Sequence, residues 1–481
     1  MTPGGGPCPP ERPGGELPDL SALEIRRRID AGEVSPIDVV EACLERLEAV
    51  NPALNAVVTV DERALEDARE LEAALARGEA PGPLCGIPVG IKDVTEVAGL
   101  RTTWGSPLYA DHVPEVDALV VRRLREAGAV ILGKTNTPEF AAGGNTWNDV
   151  FGRTRNPWDP SRSAGGSTGG GAAGLATGMI ALAEGTDLGG SLRIPASFCG
   201  VVGLRPSVGL VPTRPTNWLW DTHQVTGTMA RTAADVALSL QAVAGPDRWH
   251  PLAEPVAGRD LPAAVAAGPA PGLRIAWCPD LVGIGIDPGV EGVCLEAVEA
   301  LEAEGHLVEK VDLDLSFGRD AFLALRGLWF VVHMWPRLER LDELGVNVRS
   351  NTRAGLEVTT REIAAAEHAR ARIREIFREL FERHDHLLTP TMAVPPFPVE
   401  ENYPESVAGE EMETYIDWVA PTFVPNLAAL PIASVPAGLD AGGLPVGLQV
   451  IGPPRAEEAV LALAGRIQEL RPIGSPDLPA P

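Results

Sequence analysis

Apolar positions alternate along the chain between helical spacing and short strand-like runs. Ser21 can cap a helix over residues 22–31, and Ser35–Pro36 sets a second start, with serine at the N-cap and proline in the first turn. Leu44, Leu47 and Val50 keep helical spacing as far as Asn51–Pro52, where the proline predicts a stop. Residues 56–60 read as a strand and 61–77 as a charged, exposed helix. The run from Cys85 to Lys92 is apolar and rich in β-branched residues, which predicts another strand. A helix over 117–128, a strand over 129–132, a polar loop over 147–162 and a buried helix-to-strand segment over 172–183 follow. Residues 211–226 read as irregular, 228–244 as a helix with a polar start, and 245–272 as an exposed excursion rich in Ala, Pro and Gly.

Beyond it lie a strand at 273–278 and a helix at 289–305 that Gly305 ends. Residues 319–382 are mainly helical, and 387–390 form a strand. Short apolar runs broken by prolines fill 420–436, before a closing strand at 444–451 and a last helix at 456–470. Strands and helices alternate with no internal repeat and no clean linker. This predicts an α/β fold: a single large domain with a mixed, mainly parallel central sheet covered by helices on both faces. The expected boundaries are a Pro/Gly-rich, disordered tail over 1–18, the domain over 19–472 and a second tail over 473–481.

Composition narrows the function. The chain has 481 residues, 45% hydrophobic and 22% charged, with a net charge of −26. So acidic a surface repels nucleic acid and anionic membranes, and leaves a small-molecule substrate as the expected partner. No run of about twenty apolar residues is present to span a bilayer. The first residues show no basic and then apolar secretory pattern. The six cysteines, at 8, 43, 85, 199, 278 and 294, have no CxxC spacing and suit buried thiols in a reducing compartment. The expectation is a cytoplasmic bacterial enzyme, monomer or homodimer.

The candidate chemistry is sparse. Residues 128–135, GAVILGKT, match the phosphate-loop expression, but the four residues between the glycines are strand-like and Pro138 follows closely. A nucleotide site is rejected there, and Lys134 reads as a strand-end or surface residue. With only eight histidines a Ser-His-Asp triad has no anchor here, and without HExxH spacing no metal site is expected. What remains is Lys92 at the end of an apolar strand and two serines in glycine-rich turns, Ser167 in GGSTGGG and Ser191 in DLGGSLR. Lysine is almost never fully buried unpaired. Lys92 either snorkels from the strand end or is desolvated and thereby a usable base. A serine hydroxyl needs such a base to act as a nucleophile, and the N–H groups of a glycine-rich turn are free to meet an oxyanion.

Five stretches carry a family resemblance: GIPVGIKDV, GNTWNDVFGRTRNPWDPSRSAGGSTGGGAAGLATG, EGTDLGGSLRIPASFCGVVGLRPSVGLVP, TGTMARTAADVA and PNLAALPIASVPAGLDAGGLPVGLQVIGPP. Spread over about residues 20–470, with 24 positions from Ser167 to Ser191, they resemble the amidase signature family. The resemblance implies Ser191 as nucleophile, Ser167 as a bridging serine after a non-proline cis peptide at Gly166, and Lys92 as the base acting through Ser167. It also implies an oxyanion hole from the backbone of Asp187, Leu188, Gly189 and Gly190, an acyl-enzyme intermediate, and no cofactor or metal. Thr168 stands where many members have serine, and keeps the hydroxyl. The family-like core spans about 80–245 and 420–470.

Specificity is expected in the parts that match least, about 212–224 and 315–420. Trp218, Trp220, Trp329, Phe330 and Trp335 are the pocket candidates there, with Phe397 and Trp418 in the same regions. About half of these aromatics are expected to be ordinary core or surface residues, and two or three to line an apolar pocket. The implied substrates are aryl or hydrophobic amides, anilides and carbamates or urethanes. The alternatives are the glutaminase subunit of a tRNA-dependent amidotransferase and a non-catalytic relative.

Overall fold

The computed structural model of the protein describes residues 12–256 and 258–478. Eleven strands form one sheet: β1 (Val57–Val60), β2 (Pro88–Lys92), β3 (Val130–Thr135), β4 (Leu182–Asp187), β5 (Val202–Arg205), β6 (Val225–Ala230), β7 (Arg274–Trp277), β8 (Leu307–Lys310), β9 (His386–Pro390), β10 (Ile432–Leu439) and β11 (Pro445–Ile451). Their order across the sheet is β1-β3-β2-β4-β6-β5-β10-β11-β9-β7-β8. The pairs β3–β2, β2–β4, β9–β7 and β7–β8 are parallel. The pairs between these two blocks are antiparallel, as is β1–β3 at the edge, so the sheet is mixed. The β10–β11 hairpin needs only the short turn at Asp440–Leu444, whereas each parallel pair requires a longer crossover.

Helices cover both faces, and successive strand residues show it by pointing into different cores. Leu182, Leu388 and Val450 pack on one face with α1 (Ala22–Asp30), among others. Ala183 faces the other way, toward α2 (Pro36–Leu54), while Leu387 and Ile451 face a cluster of later helices. Strands buried on both faces read as continuous apolar runs, which is why the chain showed so little strict alternation.

Several local expectations change. Pro52 lies inside α2, which runs on to Leu54 and stops at Asn55 in the left-handed region, with φ 54°. The missing N–H of a proline in a last turn removes one bond only, while the Asn55 amide group closes the end by donating to the carbonyls of Phe151 and Arg153. Residues 225–230 are a fully buried strand, so the helix expected from 228 starts later. Thr232 caps it by accepting from the Asp235 N–H at 3.1 Å. The excursion over 245–272 contains a short helix, Leu261–Ala267, with Leu261 buried. Residues 420–426 are helical, and β8 was not anticipated. Of the expected tail over 1–18, residues 1–11, including Cys8, lie outside the described residues. Residues 12–18 are held by the buried Arg46, which donates to the carbonyls of Pro13 and Gly15. Cys43, Cys85, Cys199, Cys278 and Cys294 are free and buried. No helix among the described residues is long and apolar enough to cross a membrane.

Candidate active site

Two of the sequence candidates, Lys92 and Ser167, lie in direct contact. Lys92 ends β2 and is fully buried, between β3 on one side and β4 on the other. Its Nζ donates to Ser167 Oγ at 2.7 Å and to Thr186 Oγ1 at 3.1 Å. Burial pushes its pKa down from 10.5 to about 7, against the opposing pull of Glu184 and Asp187. Such a lysine is neutral in a large fraction of molecules near neutral pH and can accept a proton. Behind it, the Glu184 carboxylate accepts from the Lys92 N–H at 3.2 Å and from Thr95 Oγ1 at 2.9 Å. Burial raises the Glu184 pKa.

Lys134 corrects an expectation. It stands next to the end of β3, which fits the strand-end alternative, but it is fully buried and not at the surface, because its strand is covered on both sides. It donates to the Thr95 carbonyl and to Thr102 Oγ1 at 2.8 Å, and stands 3.8 Å from Asp93. Burial lowers its pKa to about 8. The strand at 130–135 agrees with rejecting a phosphate loop there.

Ser167 precedes the helix Gly169–Ala176, and the Gly166–Ser167 peptide is cis. The Thr168 N–H donates to the Ser191 carbonyl at 3.2 Å, which ties the two serine segments together. Among the described residues no hydrogen bond reaches the Ser191 hydroxyl. The Thr168 methyl fills space that Gly185 leaves open: a Cβ at 185 would stand 2.7 Å from it.

The turn from Asp187 to Ser191 is fixed from outside. The Asp187 carboxylate is fully buried and accepts from the Gly190 N–H at 2.8 Å and from Arg193 at 3.0 and 3.1 Å. Arg205 stands 3.5 Å away. Burial alone would raise the Asp187 pKa, but the two guanidiniums outweigh it and hold it at about 2. The carbonyls of Asp187, Leu188 and Gly189 accept from Arg205, Asn426 and Thr422 at 2.5, 2.7 and 2.7 Å. In a trans peptide the next N–H points opposite to the carbonyl. The N–H groups of Leu188 and Gly189 are therefore turned away from these anchors, and neither they nor the Ser191 N–H have an acceptor among the described residues. Gly190 differs from expectation, since the Asp187 carboxylate already engages its N–H. Asp187 itself is the last residue of β4, in register with Val225. Gly190 has φ +113°, and a Cβ there would lie 2.3 Å from Thr422 Oγ1, so only glycine fits this turn.

Ser191 lines a small inner cavity of about 40 Å³ that contains no exposed residue in its wall. A larger cavity of about 400 Å³ adjoins it, with Phe140, Ala141, Thr186, Gln224 and Trp329 common to both, and reaches the surface at Pro215, Asn217 and Pro336. Of the aromatic candidates, Trp218 lines the outer cavity, Phe330 the inner one and Trp329 both. Trp329 is fixed by donating Nε1–H to Asp221 at 2.8 Å. Trp220 and Trp335 are 64% and 69% exposed and line neither. Phe397 and Trp418 pack with Phe198 in the core. The Asp187 carboxylate, Arg193, Arg205 and Arg326 escaped the sequence reading; an aspartate followed six positions later by an arginine, inside a glycine-rich turn, was the available signal.

Known proteins are similar to the chain over most of its length. The family model described as Amidase matches residues 38–461. An acylamidase of Rhodococcus erythropolis is 37% identical over 469 residues, covering 94% of this chain and 96% of that one. A glutamyl-tRNA(Gln) amidotransferase subunit of Carboxydothermus hydrogenoformans is 37% identical over 486 residues, covering 94% and 98%. A bacterial aryl acylamidase of the amidase signature enzymes superposes with a TM-score of 0.87 at 30% identity, covering 94% and 96%. Fold, motif spacing and full-length similarity agree, and the chain belongs to the amidase signature family of hydrolases.

Proposed function

We propose that the protein cleaves the C–N bond of small aryl or hydrophobic amides, anilides and carbamates through an acyl-enzyme on Ser191. Neutral Lys92 takes the Ser167 proton as Ser167 takes that of Ser191, once the Ser191 hydroxyl rotates toward it. The Ser191 oxygen bonds to the substrate carbonyl carbon, and the oxyanion lies against the N–H groups of Leu188, Gly189 and Ser191. Collapse breaks the C–N bond, and the proton on Lys92 returns through Ser167 to the leaving amine. Water, deprotonated along the same path, then attacks the ester and frees Ser191. No cofactor takes part. The observation that carries this reading is the 2.7 Å contact between the fully buried Lys92 Nζ and Ser167 Oγ, on a segment tied to Ser191. The Trp104, Trp218 and Trp329 walls of the outer cavity support an apolar aryl group there. The small-molecule substrate, a monomer or homodimer, and a cytoplasmic location remain part of the same reading.

A second reading has its own support in the amidotransferase relatives, which match the chain over nearly its full length. It makes the protein a glutaminase that works only within a multi-protein assembly. Purified protein assayed on a chromogenic anilide, an aliphatic amide, an aryl carbamate and glutamine separates the two, with Ser191→Ala alongside. Release from the anilide or carbamate that is absent in the variant supports the stand-alone amidase. Turnover of glutamine alone, or silence on all four, counts against the proposal and moves the weight to the partner-dependent glutaminase.

A further inference from the structure

Four arginines are buried among the described residues: Arg46, Arg193, Arg205 and Arg326. Three of them stand on carboxylates, Arg46 at 2.9 Å from Asp19, Arg193 at 3.0 Å and Arg205 at 3.5 Å from Asp187. Arg326, on the helix Gly318–Met334, is the exception. It is 6% exposed, and its side-chain partners are neutral: it donates to Asn351 Oδ1 and, at 2.6 Å, to the Tyr415 hydroxyl. No carboxylate among the described residues lies within 4.0 Å of it. A buried charge without a counter-ion is costly, so proteins pair such groups or leave them for a ligand.

The position of Arg326 decides between these. It lines the inner cavity that also holds Ser191, and none of the other fifteen wall positions is a carboxylate. The guanidinium is oriented by the rings it lies over, 4.7 Å from the centroid of Phe330 and 5.5 Å from that of Tyr415. Two of its donors are engaged, and a guanidinium carries five. A planar, pre-oriented donor set of this kind matches a carboxylate.

We infer that Arg326 is a specificity residue, and that the preferred substrate is an amide whose short acyl arm ends in a carboxylate. The inner cavity takes this arm. The outer cavity, which opens to the surface, takes the apolar amine, so the amine can leave while the acyl group stays on Ser191. This inference rests on the proposed amide hydrolysis and adds the charge of the acyl side, which no aromatic side chain in the pocket indicates. It predicts half-anilides of short dicarboxylic acids as better substrates than the neutral anilides of the same length.

The test uses succinanilic acid and butyranilide as a matched pair. The readout is the ratio of their kcat/KM values in the wild type, in Arg326→Gln and in Arg326→Lys. The wild type is expected to favour the anionic substrate by at least about tenfold. Arg326→Gln is expected to lower the ratio by about 100-fold, and Arg326→Lys, which keeps a charge but not the fork, by less. A ratio that stays constant across the variants, or a wild type that prefers the neutral anilide, overturns the inference. Binding is read separately, as the thermal shift of Ser191→Ala with each compound. A larger shift from the anion, lost on adding Arg326→Gln, supports the inference even if turnover fails and the proposed hydrolysis falls. Equal shifts, or none from the anion, overturn it. Arg326→Lys provides the comparison if the glutamine variant does not fold.

Discussion

Replacing Lys92 by methionine should destroy activity and stabilise the protein. Lys92 is fully buried, and burial moves its pKa from 10.5 to about 7. At roughly 1.4 kcal/mol for each pH unit, holding this ammonium-forming group in the core costs about 5 kcal/mol relative to a neutral side chain. Methionine has similar length and carries no such cost. Its gain is offset by the two hydrogen bonds to Ser167 and Thr186, about 1 kcal/mol each. A net stabilisation of about 1–3 kcal/mol remains. The sign follows from proton linkage: between pH 7 and 10.5 the unfolded chain holds the lysine proton and the folded chain does not. Wild-type stability therefore rises with pH across that window, and the advantage of Lys92→Met is greatest below pH 7 and shrinks toward pH 10.5. Urea denaturation of both proteins at pH 6, 7 and 9 measures it. A variant no more stable than wild type at pH 6, or a gap that does not narrow with pH, refutes the reasoning. Loss of the base should lower kcat/KM by about 10²–10⁴-fold.

The acidic limb of the wild-type kcat/KM profile should rise about tenfold per pH unit and level off above a midpoint near 7, where Lys92 becomes neutral; an acidic limb centred near pH 5 contradicts this. Asp187→Asn should cost about 3–5 kcal/mol in denaturation experiments, because Arg193 and Arg205 lose their buried carboxylate. The Asp187 contribution is complete above pH 3.8 and is lost as pH falls through about 2. Gly185→Ala should cost about 1–3 kcal/mol and slow turnover, since the new methyl meets Thr168 Cγ2 beside Ser167; Thr168→Ser in the same chain should restore part of both, and an unaltered Gly185→Ala protein counts against the packing account.

The segments of the candidate site were legible in the sequence because their signals are local. A lysine ending an apolar run and two serines among glycines need no tertiary knowledge to stand out. The covering of β3 on both sides is not local, and so Lys134 read as a surface or strand-end residue although it is buried. The turn at Asp187 shows the same limit. Glycines announced free N–H groups, but only the fold shows that the Asp187 side chain engages Gly190 and leaves Leu188, Gly189 and Ser191 without acceptors. Among the aromatics, residue type alone did not separate Trp218 and Trp329, which line cavities, from Trp220 and Trp335, which face solvent. Arg326 was illegible for a related reason: an arginine in a helix is ordinary until its neighbours prove to be neutral and its cavity proves to hold Ser191. At residues 225–230, a buried strand of mixed composition, VTGTMA, carried no period that told strand from helix start.

Covalent capture tests the central claim most directly. The protein is incubated with a slowly deacylating aryl carbamate, its intact mass is measured, and the modified peptide is sequenced. The account predicts one acyl group per chain, on Ser191, absent from Ser191→Ala and formed far more slowly in Lys92→Met. Turnover by Ser191→Ala at the wild-type rate, or an acyl group carried on another residue, would contradict it.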